Sequence, residues 1–376
     1  MRHDSFAGRE SGINAGQEKR PSFAFPTSRR EVLKALTALG VGAILPAAGL
    51  VARATRKSAA LGKSGRIDVH HHMLPPFQTS PPFVANRHWT PESTLATMEK
   101  FGTTTAILSL TLAAEILYDG TEKARTFARK ANEYGAKLVS DNPKRFGLFA
   151  SLPLPDQDAS LREIEYAFDT LKADGVGLFT DTGDKWPGDP AFTAVFEELN
   201  RRKAVVFFHP TVPKCCRNLV AGVGDGVIEY DFDTTRAITS LLYNGVLSRL
   251  PDIRFIVSHS GAAVPVLSGR IKDRVPGASS NAANPGAGGG KIDRIPNGVF
   301  YELKKLYYEC AHATYPPAMA ALTKFVPGSQ ILFGTDYPME PYETTVNEFP
   351  NVRFSAELQQ AIDRGNAERL FPRFKS

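Results

Sequence analysis

Cysteine is scarce in this chain. Three occur in 376 residues, Cys215, Cys216 and Cys310, and two of them are adjacent. Adjacent cysteines rarely bridge each other, so no disulfide framework is expected. Cys310 sits in an apolar run and reads as a small buried side chain. Long apolar runs are missing as well. The stretch from Ala35 to Val51 is near the lower length limit for a membrane span, is Gly-interrupted and is broken by Pro46. It does not predict a stable anchor. No internal repeat is visible, which sets aside solenoids. Strong charge of one sign is also absent from the body of the chain. The formal net charge is +6, but residues 1–54 hold eight Lys or Arg against four acids. The basic excess is therefore largely a property of the N-terminus and does not argue for a nucleic-acid partner. With 42% hydrophobic residues, the chain has material for one large domain or two ordinary ones.

The N-terminal segment carries an address. Ser28-Arg29-Arg30-Glu31-Val32-Leu33-Lys34 resembles the twin-arginine export motif. The weakly apolar stretch follows it, and Ala52-Arg53-Ala54 offers a small-residue cleavage site. Residues 1–54 thus read as a signal peptide and leader. The expectation is export by the twin-arginine machinery to the periplasm or the outside of the cell. That route carries folded proteins and suits a cofactor installed before export.

After the leader, short β-branched or aromatic runs alternate with helical patterns. The predicted strands are Arg66–His70, Thr103–Leu110, Arg145–Leu152, Val176–Thr180, Ala204–His209, Ile253–His259, Lys305–Ala311 and Gln330–Asp336. The predicted helices are Pro91–Phe101, Thr121–Ser140, Ala159–Ala173, Pro190–Arg202, Asp233–Leu250, Ala262–Asp273, Pro316–Phe325 and Ser355–Arg369. Such alternation implies parallel pairing with crossover helices. Eight units over residues 64–375 predict a closed (β/α)8 barrel. The segment from Pro276 to Gly290, rich in Ala, Asn, Ser and Gly, reads as an insertion, or else as a lid or subunit-contact arm.

The chemistry gathers at the strand ends. In Asp68-Val69-His70-His71-His72, the two-residue spacing puts His70 and His72 on one face of a strand, with His71 pointing outward. Strand five ends in His209-Pro210, strand six in His259-Ser260-Gly261, and strand eight in Gly334-Thr335-Asp336-Tyr337-Pro338. Each residue alone has a structural explanation. Together they aim four histidines and an aspartate at the barrel mouth where such folds place active sites. Three neutral imidazoles plus a carboxylate suit one divalent ion with an open position. A further histidine could move protons near neutral pH. Asp68 reads as a support for a ligand or a backbone bonder, and His312 as a substrate contact. Phe83, His88 and Trp89 are candidates for an aromatic wall.

At these motifs the sequence resembles the amidohydrolase superfamily, in the branch of aminocarboxymuconate-semialdehyde decarboxylase, and looks most like 6-methylsalicylate decarboxylases. The resemblance implies His70, His72, His209 and Asp336 as ligands of one divalent metal, Zn2+ first and Mn2+ second. It implies His259 as the proton-handling residue beside the metal; in a decarboxylation either Asp336 or His259 would protonate the carbon bearing the carboxylate. Arg270, in Gly269-Arg270-Ile271, matches an arginine that binds substrate carboxylate, in some relatives across a homodimer. Many hydrolytic relatives use two metals bridged by a modified lysine at the end of strand four. Here that strand reads Gly175-Val176-Gly177-Leu178-Phe179-Thr180, and Lys185 is five residues further on. The expected activity is therefore non-oxidative decarboxylation of an aromatic or enol-type acid such as a hydroxybenzoate, a small-molecule substrate. The alternative is a mononuclear hydrolase acting on a lactone or related carbonyl. A binding protein on a retired barrel is the third reading.

Overall fold

The computed structural model describes residues 65–79, 89–274 and 293–375. Among them eight strands form one parallel sheet in sequential order: β1 Arg66–Met73, β2 Thr103–Leu110, β3 Phe146–Ser151, β4 Gly175–Phe179, β5 Val205–His209, β6 Arg254–Val257, β7 Tyr307–Glu309 and β8 Ile331–Leu332. The sheet closes on itself. The Val69 amide donates to the Phe333 carbonyl at 3.0 Å, Asp336 N to His70 O at 2.8 Å, and His72 N to Tyr337 O at 2.7 Å. The (β/α)8 barrel is the observed fold.

Helices alternate with the strands: α1 Pro91–Phe101, α2 Glu122–Asp141, α3 Gln157–Glu165, α4 Thr193–Arg201, α5 Glu229–Tyr243, α6 Val264–Arg274 and α7 Pro316–Phe325. Their starts follow local chemistry. Thr90 and Ser93 form a reciprocal capping box for α1, with Pro91 at its first position. Thr121 and Asp156 cap α2 and α3 through their side chains. The helix expected over Asp233–Leu250 is broken. Gly245 takes φ 71° and separates α5 from a short turn, Val246–Arg249. That left-handed geometry is natural to glycine and ends a helix. No described helix is long and apolar enough to cross a membrane. The proposed leader, the segment 276–290, Phe83 and His88 lie outside the described residues.

The core is layered. Ile67, Val69, Ile107, Phe149, Val205, Phe207, Ile256 and Leu332 pack with Phe371 and Phe374 in one cluster. Two other clusters join strands to the surrounding helices. Every residue of β3 and β5 is buried, as strands covered on both faces must be.

Candidate active site

Strict alternation along β1 has a consequence that the structure avoids. Ile67 and Val69 belong to the cluster around Phe149 and Phe207. A strand of period two would then send His71 the same way and turn His70 and His72 outward. The register of β1 on β2 shifts between Asp68 and His71. This irregularity swaps the faces, as a bulge does, and aims His70 and His72 at the mouth. Asp68 holds it in place. Its carboxylate, fully buried, accepts from His70 N at 3.1 Å, Thr335 N at 3.1 Å and Thr335 Oγ1 at 2.6 Å, and bonds His71 Nδ1 at 2.9 Å. Asp68 therefore bonds backbone, the His70 amide included, and its imidazole partner is His71, outside the four-residue cluster. His71 turns away from its neighbours as expected, but it is buried rather than outward, with its ring 5.1 Å from that of Tyr337.

The other strand ends supply the rest. His209 closes β5, and His259, His312 and Asp336 follow β6, β7 and β8. His259, His312 and Asp336 all have positive φ, at 53°, 55° and 62°. Non-glycine residues rarely adopt this, and such geometry concentrates at functional sites.

One ligating atom from each of His70, His72, His209 and Asp336 lies within 4.8 Å of the others. His70 Nε2 and His72 Nε2 are 3.1 Å apart, and Asp336 Oδ1 is 3.2, 2.8 and 3.7 Å from the Nε2 atoms of His70, His72 and His209. The partners of the other ring nitrogens set the tautomers. His70 Nδ1 faces Glu309 Oε1 at 2.9 Å, and His209 Nδ1 faces the Pro210 carbonyl at 2.9 Å; both must donate. Ser109 Oγ donates to the His71 carbonyl at 3.3 Å and so accepts from His72 Nδ1 at 3.0 Å. With the three rings neutral, each Nε2 carries a lone pair. His209 Nε2 is buried without a hydrogen-bond partner. Three lone pairs and a carboxylate oxygen converging on one point repel each other unless a cation sits among them. The donor set fits one divalent metal ion.

The electrostatics show the same demand for positive charge, met by a proton on His70 when no metal ion supplies it. Burial opposes the imidazolium of His70, but Glu309 and Asp336 outweigh it and push the pKa up to about 10. Burial instead lowers His72 to about 3 and also lowers His209. Burial opposes the charge on Asp336 too, yet the charge on His70 and the contacts from His209, His259 and His312 hold it well below the usual carboxylate range. The cluster has two carboxylates seeking positive charge and two imidazoles that stay neutral.

Glu309 was not singled out from the sequence. It is fully buried at the end of β7 and accepts from His70 Nδ1 at 2.9 Å, His259 N at 2.6 Å and Ala311 N at 2.7 Å. Its signal was an acid inside the apolar run Tyr307-Tyr308-Glu309-Cys310-Ala311. Gly334 permits this placement, because a side chain there would collide with the Glu309 carboxylate and the His70 Cβ.

Above the cluster opens a cavity of about 590 Å³, with Leu112, Tyr230, His259, His312, Asp336 and Met339 among its walls. That size suits a small aromatic ligand. His312 Nε2 is 3.0 Å from Asp336 Oδ2, so the histidine read as a substrate contact does reach the site. His259 Nε2 is 3.8 Å from the same oxygen, and His259 Nδ1 is 3.7 Å from Asp231 Oδ1. Among the described residues, no lysine lines this cavity. Arg270 is exposed on α6 and is not among the residues that line this cavity. Trp89 packs against the outer cluster rather than lining the cavity, which removes it from the expected aromatic wall.

The amidohydrolase family pattern matches residues 67–373. The chain belongs to the amidohydrolase family. It is 37% identical over 336 residues to the decarboxylase yanB of Aspergillus niger, covering 82% of this chain and 88% of that one. It is 32% identical over 330 residues to the 6-methylsalicylic acid decarboxylase of Penicillium expansum, covering 82% and 97%. Among solved structures, the dihydroxybenzoic acid decarboxylase of Polaromonas, crystallised with manganese and 2-nitroresorcinol, has a TM-score of 0.68 and 21% identity, covering 83% of this chain and 98% of that one. This last likeness concerns the fold.

Proposed function

We propose that the amidohydrolase-family chain is a metal-dependent, non-oxidative decarboxylase of an ortho-hydroxybenzoate. The observation that carries the metal requirement is the convergence of three Nε2 lone pairs and Asp336 Oδ1 on one point. The relatives matched over most of their length favour a carboxy-lyase over the lactone hydrolase. So does the end of β4, where Thr180 Oγ1 is buried against Asp233 and no lysine is present to bridge two metals.

His70, His72, His209 and Asp336 would hold one divalent cation, Zn2+ as the first assignment and Mn2+ as the second. When bound, that ion would polarise the carboxylate and neighbouring hydroxyl of the substrate. The chain's own residues do the rest. Glu309 fixes the His70 ring, and Ser109 and the Pro210 carbonyl fix the other two. Leu112, Tyr230 and Met339 wall the ring and limit water. Asp336 or His259 delivers a proton to the carbon bearing the carboxylate. The C–C bond then breaks, its electrons restore the aromatic ring, and CO2 leaves. His259 Nε2 is buried at the cavity wall, makes no hydrogen bond and lies 3.8 Å from Asp336 Oδ2, so it is placed to donate into the cavity. We also propose, on the motif at Ser28–Lys34, export through the twin-arginine pathway. The exposure of Arg270 fits a homodimer in which it serves the neighbouring site.

The test uses the metal-loaded chain and 6-methylsalicylate. One CO2 and one methylphenol per substrate consumed is the expected result, abolished by chelation and restored by added metal. Ring-opened acid formed from a lactone with uptake of water, and no CO2 from any ortho-hydroxybenzoate, would favour the hydrolase.

A further inference from the structure

Two of the three cysteines stand side by side in space as well as in sequence. Cys215 Sγ and Cys216 Sγ are 2.7 Å apart, in the turn Lys214–Cys216 that follows β5. That is a short movement from the bonded length of about 2.05 Å. Cys215 is exposed and Cys216 is buried. The turn is pinned on both sides: the Lys214 amide donates to Asp184 Oδ1 at 2.9 Å and the Asn218 amide to Asp225 Oδ1 at 2.7 Å. The pair is therefore held in place, not swinging on a loose loop.

We propose that Cys215 and Cys216 form a redox-reversible vicinal disulfide that reshapes the wall of the cavity beside His209. The next residue, Arg217, is ion-paired with Glu115 at 3.1 Å. With Leu112, His209 and Tyr230 it lines a hollow of about 290 Å³. The same three residues also line the main cavity, so the two spaces adjoin. Closing the ring constrains the peptide that leads into Arg217 and pulls on the Cys216 amide, which donates to the Pro213 carbonyl at 3.0 Å.

The chemistry balances with a peroxide as oxidant. The exposed Cys215 sulfur, as thiolate, attacks the peroxide O–O bond; it becomes a sulfenic acid and one water leaves. The Cys216 sulfur displaces the second oxygen as water, forming the S–S bond. Two thiol protons and two electrons have moved to the peroxide. Cys215 is exposed and meets the peroxide first, whereas Cys216 is buried beside it and is placed to resolve the sulfenic acid. Reduction by a dithiol reverses the step. The bond is built to be temporary. Neighbouring Cα atoms are about 3.8 Å apart across a trans peptide, below the usual disulfide span of about 4.4–6.8 Å. Strain of this kind raises the reduction potential and marks labile, regulatory disulfides.

The experiment treats the full metal-loaded chain with hydrogen peroxide, alkylates it and maps it by peptide mass spectrometry. The expected peptide carrying both cysteines has lost two hydrogen atoms and takes up no label; dithiothreitol restores both labels. The KM for 6-methylsalicylate shifts severalfold on oxidation, returns on reduction, and is insensitive to peroxide in Cys215→Ser. The kinetic arm rests on the decarboxylase reading, whereas the mass arm does not, so their failures are distinguishable. Two labelled cysteines after peroxide, or over-oxidised thiols without loss of two hydrogens, would overturn the proposal. A KM shift of equal size in Cys215→Ser would overturn its effect on the cavity.

Discussion

Asp336→Asn should lower CO2 release by about 10³-fold or more, and should lose metal at the same time. Asp336 has two tasks, one per oxygen. Oδ1 faces the Nε2 atoms of His70, His72 and His209, and Oδ2 faces His312 at 3.0 Å and His259 at 3.8 Å. An amide weakens the first task by removing charge and the second by removing a basic oxygen. His259→Asn separates them. His259 is outside the four-residue ligand group, so this variant should keep its metal while turnover falls comparably. Metal content and CO2 release measured on both variants give the answer. Normal turnover in both, with metal bound, would show that neither residue delivers the proton.

Glu309→Gln should weaken metal binding by about 10- to 100-fold, the usual cost of disturbing the partner of a ligating histidine. Glu309 presents its oxygens to three donors: the His70 ring, the His259 amide and the Ala311 amide. Glutamine has one carbonyl oxygen and an NH2 group. At least one donor would then face another donor inside a fully buried site, costing about 1–3 kcal/mol of stability. The signature is a split: thermal stability and metal affinity fall together, while turnover at saturating metal falls far less than in Asp336→Asn. A titration of metal-stripped protein followed by calorimetry and activity measures both. Unchanged affinity would mean that Glu309 only ties strands together.

The fold was legible because each level of the sequence pointed the same way. β-branched and aromatic runs such as Val205-Val206-Phe207-Phe208 read as strands, and the helical patterns between them read as crossover helices. The clustering of His70, His72, His209 and Asp336 was legible because histidine at the end of an apolar strand is conspicuous. Other features depend on contacts between distant segments. The irregularity in β1 is one. Spacing alone puts His70 and His72 together, but which face they take depends on Asp68 and on Thr335, some 267 residues away. Glu309 hid within a strand of three residues. The cavity walls at Tyr230 and Met339 come from segments after β5 and β8, whose paths are set by tertiary packing. The adjacency of Cys215 and Cys216 argued against a bridge by frequency, and only the geometry of the turn brings their sulfurs together.

The most direct test of the central claim is the metal content per chain of protein purified without added metal or chelator. One divalent ion per chain, lost from His209→Ala and retained in His259→Asn, is the result that the converging donors predict. Two ions per chain would point to a hydrolytic centre. No ion, with no uptake on reconstitution, would contradict the account and leave the barrel a binding scaffold.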